Sequence, residues 1–461
     1  MANFQSDAFV FFGATGDLAY KQIFPSLRGL IRDEGLNLPI IGVAKAGWNL
    51  DQFKARAKNS LETHGGVNPD AFEKLMGLLR YVDGDYNDPN TFAQLRKEMG
   101  SAKQPLHYLA IPPSLFATVA ENLAQSGCAQ NARVVVEKPF GHDLASAKEL
   151  NRILQTYFPE DRIFRIDHFL GKEPVQNILY TRFANPMFEP IWNRTYVRSI
   201  QITMAEKFGV EDRGKFYDET GALRDVVENH LLQVLSNLTM DPPTGEAHDA
   251  WRDQKAAVLK AVRPIDPKNV VRGQYTGYRS VPGVDAASKV ETFIALKLFI
   301  ETWRWAEVPI YIRAGKLLPV TATEIFVEFK RPPMEAFGEI VPGTSAHLRM
   351  RIEPDIAIGL GVRVKTPGER MTGNDVELTV AQHPADDMPP YERLLGDALC
   401  GQSELFARQD QVEAQWRAVE PILGDVTPFY HYDSGTWGPE EANQLIAGDG
   451  PWINPKNQPE K

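Results

Sequence analysis

Three short segments gather side chains able to hold an anion and move a proton. Val134-Val135-Val136-Glu137-Lys138-Pro139-Phe140-Gly141 brings an apolar run to a lysine. Arg165-Ile166-Asp167-His168-Phe169-Leu170-Gly171-Lys172 places Asp, His and Lys within six residues, a compact set of anion donors with one carboxylate. Gly221-Ala222-Leu223-Arg224-Asp225-Val226-Val227-Glu228-Asn229-His230-Leu231-Leu232-Gln233 reads as a helix on which His230 shares a face with Leu223, Val226 and Val227 and so points inward. A neutral imidazole suits proton abstraction near pH 7, and lysine and histidine together can grip a phosphate. Taken alone, each residue also has an ordinary reading as a satisfied core histidine or a solvated lysine.

A fourth segment points to a nucleotide. The strand-like run Phe9–Phe12 leads into Gly13-Ala14-Thr15-Gly16-Asp17-Leu18-Ala19 and then a helical stretch. Glycines let the backbone turn tightly and approach a pyrophosphate, whose charge meets the open N–H groups of the helix start. The spacing is not the full G-x-G-x-x-G, so the turn could also be a plain connector. After the second apolar run, Ile40-Ile41-Gly42-Val43-Ala44, stands Lys45 where an NAD site carries an acid. A cation there favours the 2′-phosphate of NADP.

The elements that must position these residues alternate. Ala8–Phe12, Pro39–Ala44, Leu106–Ile111, Arg133–Val136 and Arg162–Ile166 read as short buried strands. Between them, Asn49–Thr63, Pro69–Leu79, Pro89–Met99, Ser114–Gln125 and Asp143–Tyr157 read as helices, several opened by Asp, Asn, Pro or Ser. This predicts a doubly wound, Rossmann-type parallel sheet over residues 1–165. Over 166–461 the strands lengthen and alternate. In Thr323–Lys330, Ile325, Val327 and Phe329 face one way; in His347–Glu353, Leu348, Met350 and Ile352 do. One buried and one wet face predicts a mostly antiparallel sheet covered by helices at Phe216–Met240 and His248–Val262, an α+β domain. Thr292–Ile300 is apolar on nearly both faces and should be central, and the tail from Gly438, rich in Pro, Gly and Asn, should lie on the surface.

Composition excludes several classes. The 461 residues suit two or three domains of roughly 100–200 residues each. No apolar window reaches the about 18–20 residues of a membrane span, and no basic leader precedes Ala8, so neither a membrane protein nor an exported one is expected. A net charge of −10 argues against a general nucleic-acid binder. Two cysteines, Cys128 and Cys400, are too few for a disulfide framework or a cysteine zinc site, which points to a reducing cytoplasm and no metal.

Together with Tyr108-Leu109-Ala110-Ile111-Pro112-Pro113, these segments resemble the glucose-6-phosphate dehydrogenase family, in order and spacing, over most of the chain. The resemblance implies an NADP-dependent dehydrogenase that oxidises the C1 hydroxyl of glucose 6-phosphate to the lactone, the first oxidative step of the pentose phosphate pathway. It matches His230 to the base, Asp167 to its orienting carboxylate and Lys138 to a lysine near C1 and the nicotinamide. His168 and Lys172 match the phosphate grip, Glu206 and Asp225 the acceptors for sugar hydroxyls, and Lys316 a further substrate-side lysine. Gly13, Ala14, Thr15, Gly16, Asp17, Leu18, Lys45, Tyr108 and Lys138 match the dinucleotide contacts. The family also implies a homodimer or homotetramer, built on the open sheet face.

Two departures stand out. Phe169 replaces the family's usual tyrosine, removing a hydroxyl that would reach the phosphate, and Lys45 replaces the usual arginine, a fork-shaped donor, with a point charge. On an α-helix Asp225 and His230, five positions apart, lie about 140° apart, so both serve one pocket only if the sugar lies across the helix start. Two other readings stay open: an oxidoreductase of the glucose-fructose oxidoreductase and inositol dehydrogenase group, and a catalytically silent regulatory relative.

Overall fold

The computed structural model describes residues 3–64, 66, 68–245, 248–342, 344, 346–382 and 388–456. Its contacts divide the chain into two compact units. The first comprises Met1–Glu173, Pro243–Asp253 and Asp387–Glu413, so it runs past the expected edge at 165 and takes back two later segments. The second comprises Pro174–Pro242, Gln254–Asp386 and Ala414–Lys461.

In the first unit six strands, β1 Ala8–Phe12, β2 Ile40–Ala44, β3 Leu79–Asp83, β4 Pro105–Leu109, β5 Arg133–Glu137 and β6 Ile163–Ile166, pair in the order β3-β2-β1-β4-β5-β6. All neighbours run parallel, with Phe12 opposite both Val43 and Leu109, and Glu137 opposite Ile166. This is the dinucleotide-binding strand order, which reverses direction between β1 and β4. Strands β1, β2 and β4 are buried throughout, because helices cover both faces of a parallel sheet. The helices Leu50–His64, Pro69–Leu78, Pro89–Met99, Phe116–Gln125 and Leu144–Tyr157 fall where expected. Their starts are chemically marked: the Asn68 side chain accepts from Ala71 N, Asp88 from Asn90 N, and Asp143 forms a capping box with Ser146.

Strand β3 was not foreseen. It follows the helix ending at Leu78 with no intervening loop, and as an edge strand it is only partly buried, so its pattern blurs. Leu79, expected in the helix, opens the strand. The returning helix Pro390–Cys400 adds Leu394, Leu395, Ala398 and Leu399 to the core of this unit.

The second unit is built on nine strands: β7 Val197–Ala205, β8 Val270–Tyr275, β9 Phe293–Leu298, β10 Ile310–Gly315, β11 Ala322–Phe329, β12 His347–Glu353, β13 Ile356–Lys365, β14 Gly373–Gln382 and β15 Phe429–Tyr432. Their order is β14-β13-β12-β11-β7-β10-β9-β8-β15. Most pairs are antiparallel; β7 with β10 and β8 with β15 are parallel. The expected inward faces of β11 and β12 meet, Ile325 opposite Met350 and Val327 opposite Leu348. β9 lies inside the sheet, between β10 and β8.

The opposite face of β11 is not wet, contrary to expectation. Glu324 and Glu328 are buried there because cations cross from neighbouring strands: Arg349 and Arg351 lie 2.7 and 2.8 Å from Glu324, and Arg198 lies 2.6 Å from Glu328. Alternation read as exposure was instead a row of paired buried charges. The tail also departs from its expected place on the surface. Trp452 is 6% exposed, packs edge-on against Tyr311 at 5.9 Å, lies 4.6 Å from the Arg313 guanidinium and donates from Nε1 to Ala442 O at 2.8 Å. Its indole fills space under the sheet that a polar tail would leave empty. Truncation to Trp452→Ala should therefore destabilise the protein by about 3–5 kcal/mol in chemical denaturation, whereas a surface tail residue would change stability by less than about 0.5 kcal/mol.

Candidate active site

In the first unit the motif residues stand at the C-terminal ends of parallel strands, the edge where open α/β sheets bind ligands. Gly13 follows β1, Lys45 follows β2, Lys138 follows β5 and Asp167 follows β6. Gly13 holds φ +76°, and a Cβ there would lie 2.1 Å from Ala110 O, so only glycine allows the turn to pass so close to the end of β4. Gly16 N donates to Gly13 O at 2.9 Å, closing the turn, and Gly16 and Asp17 face solvent ahead of the helical stretch from Ala19. Ala14 differs, with its methyl buried beside Gly42, so only its backbone faces the turn. A glycine cradle that a Cβ would fill, at the reversal of strand order and ahead of a helix start, fits a pyrophosphate. Tyr86, not singled out by the sequence, buttresses it: its hydroxyl accepts from Gly13 N at 2.8 Å and donates to Val43 O at 3.1 Å.

Tyr108 is almost fully buried in β4, and its hydroxyl donates to Glu137 Oε1. Tyr391, from the returning helix, also bonds Glu137. Burial of the Glu137 carboxyl pushes it up to about 7; the Asp167 charge adds to this, while the two tyrosines and Lys138 oppose it. The charges of Lys138, Glu137 and Asp167 thus act on one another at the ends of β5 and β6.

Asp167 is buried and caps the following turn, accepting from Phe169 N at 3.0 Å. The His168 ring stacks on Tyr391 with centroids 6.2 Å apart and planes within 10°. The Lys172 ammonium lies 3.8 Å from the centroid of the buried Phe169 ring. Phe169 therefore seats the lysine through the face of its ring, an attraction worth roughly 0.5–2 kcal/mol. Gly171 admits the start of the returning helix, for a Cβ there would lie 2.7 Å from Pro390 O.

In the second unit the parallel pair β7/β10 ends with Ala205 opposite Gly315, so Glu206 and Lys316 leave the sheet side by side. Lys316 Nζ lies 2.5 Å from Glu206 Oε2, and it also lies over the Phe208 and Tyr217 rings at 5.0 and 5.2 Å. Burial pushes the Tyr217 hydroxyl far above its ordinary value, with added effect from the charges of Asp225 and Glu206. Tyr217 thus marks the place where Glu206, Lys316 and Asp225 converge.

The helical stretch bearing Asp225 and His230 is not wound as expected. Residues Leu223–Leu231 form a π-helix, in which each N–H reaches the carbonyl five residues earlier. Residues five apart therefore stack, and Asp225 and His230 share a side without the sugar having to cross the helix start. A left-handed Gly221, φ +66°, breaks the chain just before this stretch, and Glu291 fills the space a Cβ would need there. Glu291 Oε1 accepts from Leu223 N at 3.0 Å, so a buried carboxylate caps the helix start, where the dipole favours negative charge. His230 is 1% exposed, and its backbone N–H bonds Asn229 Oδ1 at 2.6 Å.

Sequence reasoning named the strand-end residues but missed Tyr86, Glu137, Tyr217, Glu291 and Tyr391. Glu137 stood inside a quoted motif, and its position beside Lys138 at a strand end was the available signal. Because the folded protein holds the Glu137 proton up to about pH 7 and the unfolded chain releases it near the ordinary 4.5, stability attributable to this group falls as pH rises through that interval. Glu137→Gln, whose amide oxygen still accepts from the tyrosines, should flatten this decline. Melting temperatures between about pH 4.5 and 7.5 measure it, and an unchanged slope would refute the assignment.

Two family models match nearly the whole chain: the NAD binding domain of glucose-6-phosphate dehydrogenase over residues 10–177 and the C-terminal domain of the same enzyme over residues 179–453. Glucose-6-phosphate 1-dehydrogenase 1 of Mycobacterium tuberculosis (strain ATCC 25618 / H37Rv) is 46% identical over 453 residues, covering 98% of this chain and 97% of that protein. The crystal structure of glucose-6-phosphate 1-dehydrogenase from Mycobacterium avium matches with a TM-score of 0.92 at 44% identity, covering 99% of this chain and 100% of that one. A glucose-6-phosphate dehydrogenase in complex with its substrate glucose-6-phosphate matches with a TM-score of 0.90 at 35% identity, covering 99% and 100%. Matched in sequence and in fold over almost its full length, the chain belongs to the glucose-6-phosphate dehydrogenase family.

Proposed function

We propose that the protein oxidises the C1 hydroxyl of glucose 6-phosphate to 6-phosphogluconolactone with NADP as hydride acceptor. The observation that carries this reading is the 46% identity, over 98% of the chain, to a protein named for that activity. The first unit holds the dinucleotide, with Gly13, Ala14, Thr15, Gly16, Asp17 and Leu18 at the pyrophosphate. Tyr108 and Lys138 serve the nicotinamide end and Lys45 the 2′-phosphate. When bound, the nicotinamide supplies the carbon that accepts the hydride.

The chain's own residues do the rest. His230 takes the hydroxyl proton as the hydride leaves, and Asp167 holds the imidazole in the right tautomer and stabilises its charged form. His168 and Lys172 grip the phosphate, the former braced by Tyr391 and the latter by Phe169. Glu206 and Asp225 accept hydrogen bonds from the sugar hydroxyls, and Lys316 pairs with Glu206 and aims it. Lys138 serves the C1 end of the sugar.

We also read the protein as a homodimer or homotetramer joined through its sheet. Val376, Leu378 and Val380 alternate along β14 with exposures of 39%, 57% and 64%, opposite Val362, Leu360 and Ile358 of β13. Such a stripe on an open sheet is an association surface. Among the described residues no helix is long and apolar enough to cross a membrane. The free cysteines Cys128 and Cys400 suit a reducing cytoplasm.

Initial rates with glucose 6-phosphate, free glucose and inositol, read as reduced cofactor, test the reaction. Turnover is expected with the phosphorylated sugar, and its absence there would sink the reading. His230→Asn should bind sugar phosphate and dinucleotide as before and lose about 100- to 10,000-fold in kcat. For assembly, light scattering should give at least twice the mass of one chain, and Leu378→Glu should shift it towards the single chain.

A further inference from the structure

Lys45 is not a free cation awaiting a phosphate. Its Nζ lies 2.7 Å from Asp85 Oδ2. Asp85 is itself fixed: its Oδ1 accepts from Asn87 N at 2.8 Å and Asn87 Nδ2 at 2.9 Å, and its carbonyl accepts from the Thr91 hydroxyl at 2.9 Å. The carboxylate thus stands on an anchored turn. Lys45 and the Asn87 donors lower it to about 2, so it is ionised at neutral pH.

Two residues earlier, Asp83 Oδ1 accepts from Ala46 N, Gly47 N and Trp48 N at 3.0, 2.8 and 3.3 Å, and from the Tyr81 hydroxyl at 3.0 Å. Successive N–H groups that converge on one point form a cradle for an anion. Here the chain's own carboxylate occupies it. Both anion-attracting features after β2, the lysine and the backbone cradle, are therefore already engaged by acids from the end of β3.

In this fold a carboxylate at the end of the second strand receives the ribose 2′-hydroxyl of NAD, whereas a cation receives the 2′-phosphate of NADP. This chain presents both kinds of group at the same place. We propose that Asp83 and Asp85 are specificity-determining residues that offset Lys45, so that a 2′-phosphate gains only a modest advantage over a 2′-hydroxyl and the protein uses NAD as well as NADP. A phosphate must share Lys45 with Asp85 and bear its repulsion. A hydroxyl carries no charge and can donate to either acid. The inference rests on the dinucleotide site proposed above.

The test needs no turnover. Titration calorimetry of the full chain with 2′,5′-ADP and with 5′-AMP isolates the 2′-phosphate. The unaltered protein should prefer 2′,5′-ADP by less than about tenfold. Asp85→Asn, which keeps the oxygen that holds Asn87 but drops the charge, should tighten 2′,5′-ADP by about two- to fivefold, whereas 5′-AMP, whose hydroxyl still has Asp83 as an acceptor, should not tighten. Lys45→Ala should weaken 2′,5′-ADP alone. Asp85→Ser serves as a second variant should the first alter the melting temperature. A preference above about a hundredfold in the unaltered protein, or an unmoved ratio in both Asp85 variants, overturns the inference. Neither ligand contains a sugar phosphate substrate, so inactivity towards glucose 6-phosphate with a shifted nucleotide ratio would overturn the proposed reaction and leave this inference standing. Failure of both nucleotides to bind overturns the dinucleotide site and the inference together.

Discussion

Parallel strand pairing is the constraint on which the site depends. Six strands of the first unit point the same way, so the loops leaving their C-terminal ends emerge along one edge, whatever their separation in sequence. Gly13, Lys45, Lys138 and Asp167 stand along one edge for that reason. The second unit repeats the device inside a mostly antiparallel sheet. Its parallel pair β7/β10 ends in register, which delivers Glu206 and Lys316 to a single point as an ion pair.

What the sheets deliver, buried hydrogen bonds then orient. Glu137 is held by hydroxyls from Tyr108 and Tyr391, His168 lies against the same Tyr391, and Asp167 is tied to the turn it caps. In the second unit Glu291 does this for the stretch bearing Asp225 and His230, by capping its first turn where Gly221 bends the chain. Each such carboxylate pays for its desolvation through bonds to fixed donors, which is why these acids sit beside glycines and tyrosines rather than beside solvent.

Much of this was legible in the sequence. Apolar β-branched runs separated by capped helices encode the parallel sheet, and strand-end residues could be named because strand ends could be read. Three kinds of feature were not legible. Strand β3 lacks the buried pattern that marks the others, being an edge. The buried ion pairs of Glu324 and Glu328 look like ordinary alternation, since a sequence does not say whether a charge meets water or an arginine from the next strand. The supporting groups Tyr391 for Glu137, Glu291 for Gly221 and Asp85 for Lys45 come from distant parts of the chain, and only the fold makes them neighbours.

The winding of Leu223–Leu231 has a consequence for how this stretch can vary. A π-turn is an α-turn holding one residue more than its length requires. Loss of one residue between Asp225 and His230 would let the stretch relax to the commoner winding with the two side chains four apart and still on one side. Relaxation with every residue kept would instead leave them five apart on an α-helix, about 140° round, and turn the imidazole away from the carboxylate. The winding, and not the count of residues alone, thus holds the pair together.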